Sequence, residues 1–407
     1  MSTILTVAFW FASWCLISVL VAGEIDPGPA AARAAVDALH RELTGRFSEP
    51  NGLLYDYTAA DGSVLIPTPD ECRAAKPNGV AWWCPIENGA FFTGLWLVAL
   101  VDRWEVTHDP AVAARARRAA AGLLLLASVG EHLAFIARGV LTDRRSHPPA
   151  SSDDQTLPWF YGLWHYLKSS LPAQDERSVV LAAVVRVGVG LRDNHWLVPS
   201  DPQALGPRGN FANFDPVTAP RLLFITRALH DLTGQPEWLE LYRGLRNARG
   251  ADGGPSRLDL CADGDLIGEH ASPQRDFYML WTKGHSVACL AALARWEEDL
   301  ALATSYRTGL ARMVAFASGR IAKQSWNGAA LPLFQPDWRQ LLPLWREQST
   351  MVDISAVATA QSAAWNRISP RKPYELNNMA EPLFACWMVT LGGEEAVRAQ
   401  ASAIRAA

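Results

Sequence analysis

Two adjacent carboxylates, Asp153 and Asp154, sit in an unusual order of residue types. Arg138, Arg144, Arg145 and His147 precede them, Pro148-Pro149 stiffens the approach, and Trp159, Phe160, Tyr161 and Trp164 follow. Cations, acids and flat apolar rings in one stretch suit a site that holds an anionic or polyhydroxylated ligand against acid–base groups. Successive side chains rarely converge on opposite sides of one bond, so the second acid should come from elsewhere. Glu87 is the candidate. It follows Trp82-Trp83-Cys84-Pro85 and precedes Asn88-Gly89, and tryptophans beside a carboxyl raise its pKa by desolvation.

The elements that must position these acids are helices. Ser152 and Gln155 have the spacing of a capping box, which puts both aspartates in the first turn. Pro158 then falls inside the helix, where its ring meets the carbonyl four residues back. Thr156 as the N-cap places Pro158 in the first turn instead, where a missing N–H costs nothing. That second register is preferred here. It leaves the aspartates in the connecting loop, with Asp154 the freer of the two and Asp153 nearer the cap. The plainer alternative is that both favour the helix dipole, worth roughly 0.3–1 kcal/mol each.

Other positions invite both a ligand-binding and a structural reading. Trp83, Trp159 and Tyr161 could stack on a flat ligand face, or fill the core. One of Arg138, Arg144, Arg145 and His147 could hold a carboxylate, since Arg is suited to bidentate recognition of that group, or the run could be a solvated loop. Asn213 could bond hydroxyls, while Asp215 before Pro216 reads as an N-cap. Tyr278, Trp281 and His285 share a face by helical spacing, with His270 just upstream; a histidine on such a face is more often a core residue. Asp353 reads as a first-turn acid. The 17 tryptophans exceed what core packing alone requires.

Residues 1–23 are almost wholly apolar and end on Val21-Ala22-Gly23, as a secretory leader does. An uncleaved anchor is the alternative, because the run nearly reaches a bilayer's width. The expected organisation is thus a leader followed by one domain over 24–407. A net charge of −4 argues against a nucleic-acid surface. Cys72 and Cys84 flank a Pro/Gly-rich segment and could pair in an oxidising compartment. No cysteine has metal-ligand spacing, and neither a metal nor another cofactor is expected.

Apolar periodicity predicts helices over 31–47, 87–106, 111–128, 156–169, 175–191, 216–232, 237–247, 273–298, 300–321, 350–365 and 380–391, with a short hairpin over 53–66. The valine-rich 175–191 run keeps helical spacing and is too long for a strand. Small-residue-rich, apolar helices start near 31, 87, 156, 216, 273 and 350, with more charged amphipathic helices between most of them. An all-α (α/α)6 toroid of inner and outer helices has that organisation.

With Glu87-Asn88-Gly89 opening the second inner helix and Asp153-Asp154-Gln155 the third, the chain resembles the six-hairpin glycosidase group. That group includes the unsaturated glucuronyl and rhamnogalacturonyl hydrolases. The resemblance covers most of 31–391 at the level of helix pattern. It implies acids at the open ends of successive inner helices, and a secreted glycoside hydrolase acting on uronate-containing poly- or oligosaccharides. Glycosidic cleavage needs one protonated acid and one ionised carboxylate, here Asp154 with Glu87. A polysaccharide lyase using Tyr161, Tyr278 or His270 is an alternative, as is a toroid that binds glycans without cleaving them.

Overall fold

The computed structural model describes residues 28–73 apart from 57, 59, 60 and 65; 85–265 apart from 252; 278–322; 360 and 363; and 380–398. The chain is mostly helical. Its contacts divide it into two compact units, one built on 42–211 and the other on 28–41, 212–322 and 380–398. Helix α1 (Gly28–Gly45) runs across the point of division.

In the first unit, a short helix α2 (Pro69–Arg73) is followed by α3 (Gly89–Thr107), α4 (Pro110–Leu126), α5 (Asp153–Lys168) and α6 (Gln174–Asp193). A two-residue strand β1 (Leu197–Val198) then pairs antiparallel with β2 (Gly209–Asn210). The sequence explains the alternation of helix type. α3 and α5 are apolar on nearly every side and are buried along most of their length. α4 buries Val112, Ala113, Ala116, Ala119, Ala120 and Leu123, while Arg115, Arg117 and Arg118 face solvent, the pattern of a helix with one core-facing stripe. Asp109 starts it by accepting the Ala111 N–H at 2.8 Å, with Pro110 in the first turn.

Two glycines set how closely α3 and α5 approach. A Cβ on Gly94 would collide with the Pro158 carbonyl, and one on Gly162 with the Gly94 carbonyl. The helices therefore cross backbone to backbone, and their N-terminal ends lie close enough for Gln155 to bond Phe91.

The second unit contains α7 (Thr218–Thr233), α8 (Pro236–Asn247), α9 (Arg257–Asp263), α10 (Leu280–Trp296), α11 (Leu300–Ala322) and α12 (Ala380–Leu391). Again a helix buried on most sides alternates with an amphipathic one: α7 packs on α8, and α10 packs on α7, α11 and α12. α8 contributes Trp238 and Tyr242 to the core. The Tyr242 hydroxyl lies 2.7 Å from that of Tyr306 and donates to Glu297 at 3.0 Å.

Several expectations need correction. α5 begins at Asp153, not Thr156, so both aspartates lie in its first turn and Pro158 lies inside the helix. Glu87 precedes α3 instead of opening it. The described part of 53–66 forms no strand, only an isolated bridge between Ser48 and Leu54. Helix α9 was not anticipated; seven residues are too few for periodicity, although Ser256 and Asp259 form a full capping box. Tyr278 precedes α10 and so shares no helical face with Trp281. The 175–191 run is helical, within α6. The expected helix over 350–365 falls almost entirely outside the described residues, as do Trp83, Cys84, His270 and Asp353.

Candidate active site

In the first unit a chain of polar contacts links four segments beneath the N-terminal ends of α3 and α5. It starts at Asp56, whose side chain is buried. Asp56 Oδ1 accepts the Asn88 N–H at 2.9 Å, and Oδ2 accepts the Asn88 side-chain amide at 2.8 Å. Asn88 Oδ1 in turn accepts from Gln155 Nε2 at 2.7 Å and from Arg138 Nη1 at 3.4 Å. Gln155 Oε1 accepts the Phe91 N–H at 3.1 Å, one of the first-turn donors that a helix leaves without an internal partner.

Arg138 carries the chain from there to the acids. Its guanidinium is buried, with Nη1 donating to the Glu87 carbonyl at 3.2 Å and Nη2 to Ser152 Oγ at 3.0 Å. The Ser152 hydroxyl then donates to Asp154 Oδ1. This explains the helix start. Ser152 and Gln155 have capping-box spacing, but neither caps: Ser152 turns to Asp154, and Gln155 reaches across to α3. The helix begins early because these contacts, together with the Thr156 hydroxyl on the Ser152 carbonyl at 2.9 Å, fix the first turn. Their combined hold outweighs the discomfort of Pro158 in the sixth helical position.

Glu87 and Asp154 remain only partly buried. Both act electrostatically on one guanidinium, that of Arg208. The electrostatics of Asp56 also involve Glu87. Burial, then the charge of Glu87, pushes the Asp56 carboxyl well above the usual range, against the hydrogen bonds from Asn88 and the charge of Arg138. A buried acid that favours its neutral form beside a more accessible carboxylate is an arrangement that can divide protons unequally.

The cationic loop upstream of the acids is built for itself. Asp143 accepts from the Ser146 hydroxyl at 2.6 Å and from the N–H groups of Ser146 and Arg145 at 2.9 and 3.1 Å. Burial works to raise its pKa; these hydrogen bonds outweigh that and bring it to about 2. Arg144 donates to Asn51 at 2.7 Å. His147 has Nε2 at 3.1 Å from Asp201 and Nδ1 at 3.0 Å from the Pro148 carbonyl, so both ring nitrogens are engaged in the loop and not offered to a ligand. Arg145 is exposed, with its backbone held on Asp143.

The aromatic candidates fare similarly. Trp159 is wholly enclosed, and its N–H donates to the Leu123 carbonyl at 2.7 Å, so it packs the core and presents no face for stacking. Tyr161 is buried beside Trp164 and His165. In the second unit, Asp215 receives the Val217 and Thr218 N–H groups at 2.9 and 2.8 Å, two residues ahead of Val217, which stands at the cap position of α7 where Asp215 was expected. Asn213 is exposed and Trp281 partly buried. The Tyr278 ring packs edge-on against Phe316 with the Arg320 guanidinium over its face. His285 is a core residue, pushed by burial down to about 3. Cys72 is a buried free thiol whose Sγ donates to the His147 carbonyl at 3.0 Å, and burial pushes its pKa up to about 11.

Sequence reasoning overlooked Asp56 and Arg208. Asp56 was visible as a lone acid inside Leu53-Leu54-Tyr55-Asp56-Tyr57, where an unpaired charge would be costly. Arg208, in Gly206-Pro207-Arg208-Gly209, reads only as a turn residue. Among the described residues no helix is long and apolar enough to cross a membrane, and no group of three or more His, Cys, Asp and Glu side chains is gathered as a metal site would require.

These features define an all-α protein of paired buried and amphipathic helices, with an acid-bearing polar network at two helix starts. Comparison with models of known protein families, with curated proteins and with solved structures gives no match.

Proposed function

We propose that the protein is a glycoside hydrolase of uronate-containing poly- or oligosaccharides, in which Asp154 and Glu87 form the catalytic pair. The observation that carries this reading is one polar network in which Arg138 holds the Glu87 carbonyl and, through Ser152, the Asp154 side chain at the starts of separate helices, with the charges of both acids acting on Arg208. Asp154 spends one oxygen on Ser152, and the other has no partner among the described residues. One member of the pair donates a proton to the leaving oxygen while the other activates water or attacks the anomeric carbon. Asp56, Asn88, Arg138 and Ser152 are positioning residues in this scheme. The same reading extends the alternation of buried and amphipathic helices to an (α/α)6 toroid over 24–407, and takes 1–23 as a secretory leader removed on export.

The test is turnover. Purified protein is offered pectic, alginate, ulvan and glycosaminoglycan oligosaccharides, and new reducing ends are measured. Asp154→Asn keeps the shape but cannot exchange a proton at neutral pH, and turnover should fall about 10²–10⁴-fold with the melting temperature little changed. Glu87→Gln should lose turnover on the same scale. New absorbance near 230 nm without acid-dependent hydrolysis would indicate elimination and overturn the assignment. N-terminal sequencing of exported protein checks the leader.

A further inference from the structure

Arg208 is the cation that the network leaves unspent. Its backbone N–H donates to the Val198 carbonyl at 3.1 Å, at the mouth of the β1–β2 pair. The next residue, Gly209, is pressed onto the first turn of α5: a Cβ there would lie 2.5 Å from the Asp153 nitrogen. The small hairpin is thus seated by backbone contact against the helix start that carries Asp154. Arg208 itself stays accessible to solvent. Among the described residues its guanidinium makes no hydrogen bond and no ion pair.

That is unusual beside two acids. The other arginine here, Arg138, is buried and committed to Glu87, Asn88 and Ser152. Enough protein surrounds Arg208 for lost hydration, and then the charge of Arg138, to lower its pKa, with Asp154 and Glu87 pulling the other way. A guanidinium presents a planar fork of donors that fits a carboxylate with two parallel bonds. A fork with no partner among the described residues, within the electrostatic reach of Arg138, Asp154 and Glu87, is ready for an anionic group of a ligand. A neutral sugar would leave it unanswered.

We propose that Arg208 is the specificity-determining anchor for the substrate's carboxylate, gripping a uronate so that its glycosidic bond lies against Glu87 and Asp154. This rests on the glycoside-hydrolase reading above. It moves the recognition of acid from Arg145 and His147 to a residue on the opposite side of the acid pair in sequence.

The experiment measures binding and turnover separately. The probes are oligogalacturonate and hyaluronan oligosaccharides, each paired with its carboxyl-reduced neutral form. Calorimetry gives affinity and reducing-end release gives kcat/KM for wild type, Arg208→Gln and Arg208→Lys. For wild type, at least one acidic probe should bind more tightly than its reduced form. Hydrogen bonds to charged groups are worth enough that Arg208→Gln should erase about 10- to 100-fold of that preference, with Arg208→Lys recovering part of it. An unchanged melting temperature keeps the comparison clean. If acidic probes bind in an Arg208-dependent way but are never cleaved, the anchor stands and the hydrolase reading falls. If cleavage occurs and the acid-to-neutral ratio is the same in Arg208→Gln, the anchor is wrong and the hydrolase reading stands. Failure of wild type to prefer any acidic probe overturns the anchor as well.

Discussion

At the start of α10 the Glu381 carboxylate accepts the Leu280 N–H at 2.8 Å and the Tyr278 N–H at 3.0 Å, and its side chain is fully enclosed. At the start of α5, Asp154 accepts, among the described residues, only the Ser152 hydroxyl and remains partly open. Both acids stand at the positive end of a helix, where a carboxylate is favoured. In the second unit each of the acid's oxygens holds a backbone donor and the side chain is enclosed, so no ligand reaches it. In the first, a serine held by Arg138 supplies the contact and one oxygen stays available. The difference lies in whether the acid caps the helix itself or is held there by other side chains.

The strongest way to break that comparison is to remove each acid in turn. Glu381→Ala strands two N–H groups at a buried helix start, each costing about 1–3 kcal/mol, so the protein should lose several kcal/mol in urea denaturation. Asp154→Ala removes a partly exposed acceptor and should cost no more than about 1 kcal/mol, the scale of a single exposed helix-end carboxylate. Equal losses would show that Asp154 is as structural as Glu381.

Proton linkage sharpens the same contrast. Burial raises Glu381 to about 7, against the hydrogen bonds from Leu280 and Tyr278. Burial likewise raises Glu49 in the first unit to about 7, opposed by Asn51 and Arg144. Each folded carboxyl then holds its proton where the unfolded chain, near 4.5, has released it. The folded state binds more protons in that window, so the stability these two groups contribute is fully present below pH 4.5, falls as pH rises to about 7, and is gone beyond. At 1.36 kcal/mol per pKa unit each group contributes about 3 kcal/mol to the fall. Denaturation midpoints from pH 4 to 8 measure it, with Asp56 adding to the fall in the same direction, and Glu49→Gln should remove only its own share, about 3 kcal/mol.

A smaller effect tests the frame that sets the two acids of the first unit side by side. Gly94→Ala forces a methyl into the Pro158 carbonyl and should cost about 1–3 kcal/mol. Because α3 and α5 must separate to accommodate it, the Gln155 contact to Phe91 should loosen, and turnover should fall even after correction for the folded fraction.

Much of the scaffold was legible because long helices advertise themselves. α4, α6 and α11 lie within a few residues of where periodicity placed them, and the valine run of α6 kept its helical stripe. The start of α5 was misjudged because Pro158 was weighed as a local penalty, while the contacts that offset it come from Arg138 and from α3, distant in sequence. The site was half legible. Asp154 and Glu87 were readable as acids at or just before helix starts, and the charges of both act on Arg208. Arg145, His147, Trp159 and Tyr161 were singled out by type and proximity, yet the loop and the core use all but Arg145. Residue type suggests what a side chain can do, whereas burial and prior partners decide whether it is free to do it.

The finest test separates neighbours. Asp153 and Asp154 share the first turn of α5, partial burial and the helix dipole, so composition gives no reason to prefer one. Geometry does. The Asp153 backbone lies under Gly209 of the hairpin, while Asp154 is the one that Ser152 grips and whose charge reaches Arg208. Asn serves at a helix start about as well as Asp, so Asp153→Asn, which keeps the side chain's shape and most of its hydrogen bonding, should cost no more than about 1 kcal/mol, with kcat within about twofold of wild type. Asp154→Asn should match it in stability but lose turnover about 10²–10⁴-fold. Parallel thermal melts and single-substrate kinetics on the two variants decide the matter. If Asp153→Asn is the one that silences the protein, the hairpin holds the catalytic carboxylate and the Ser152–Asp154 contact is merely structural.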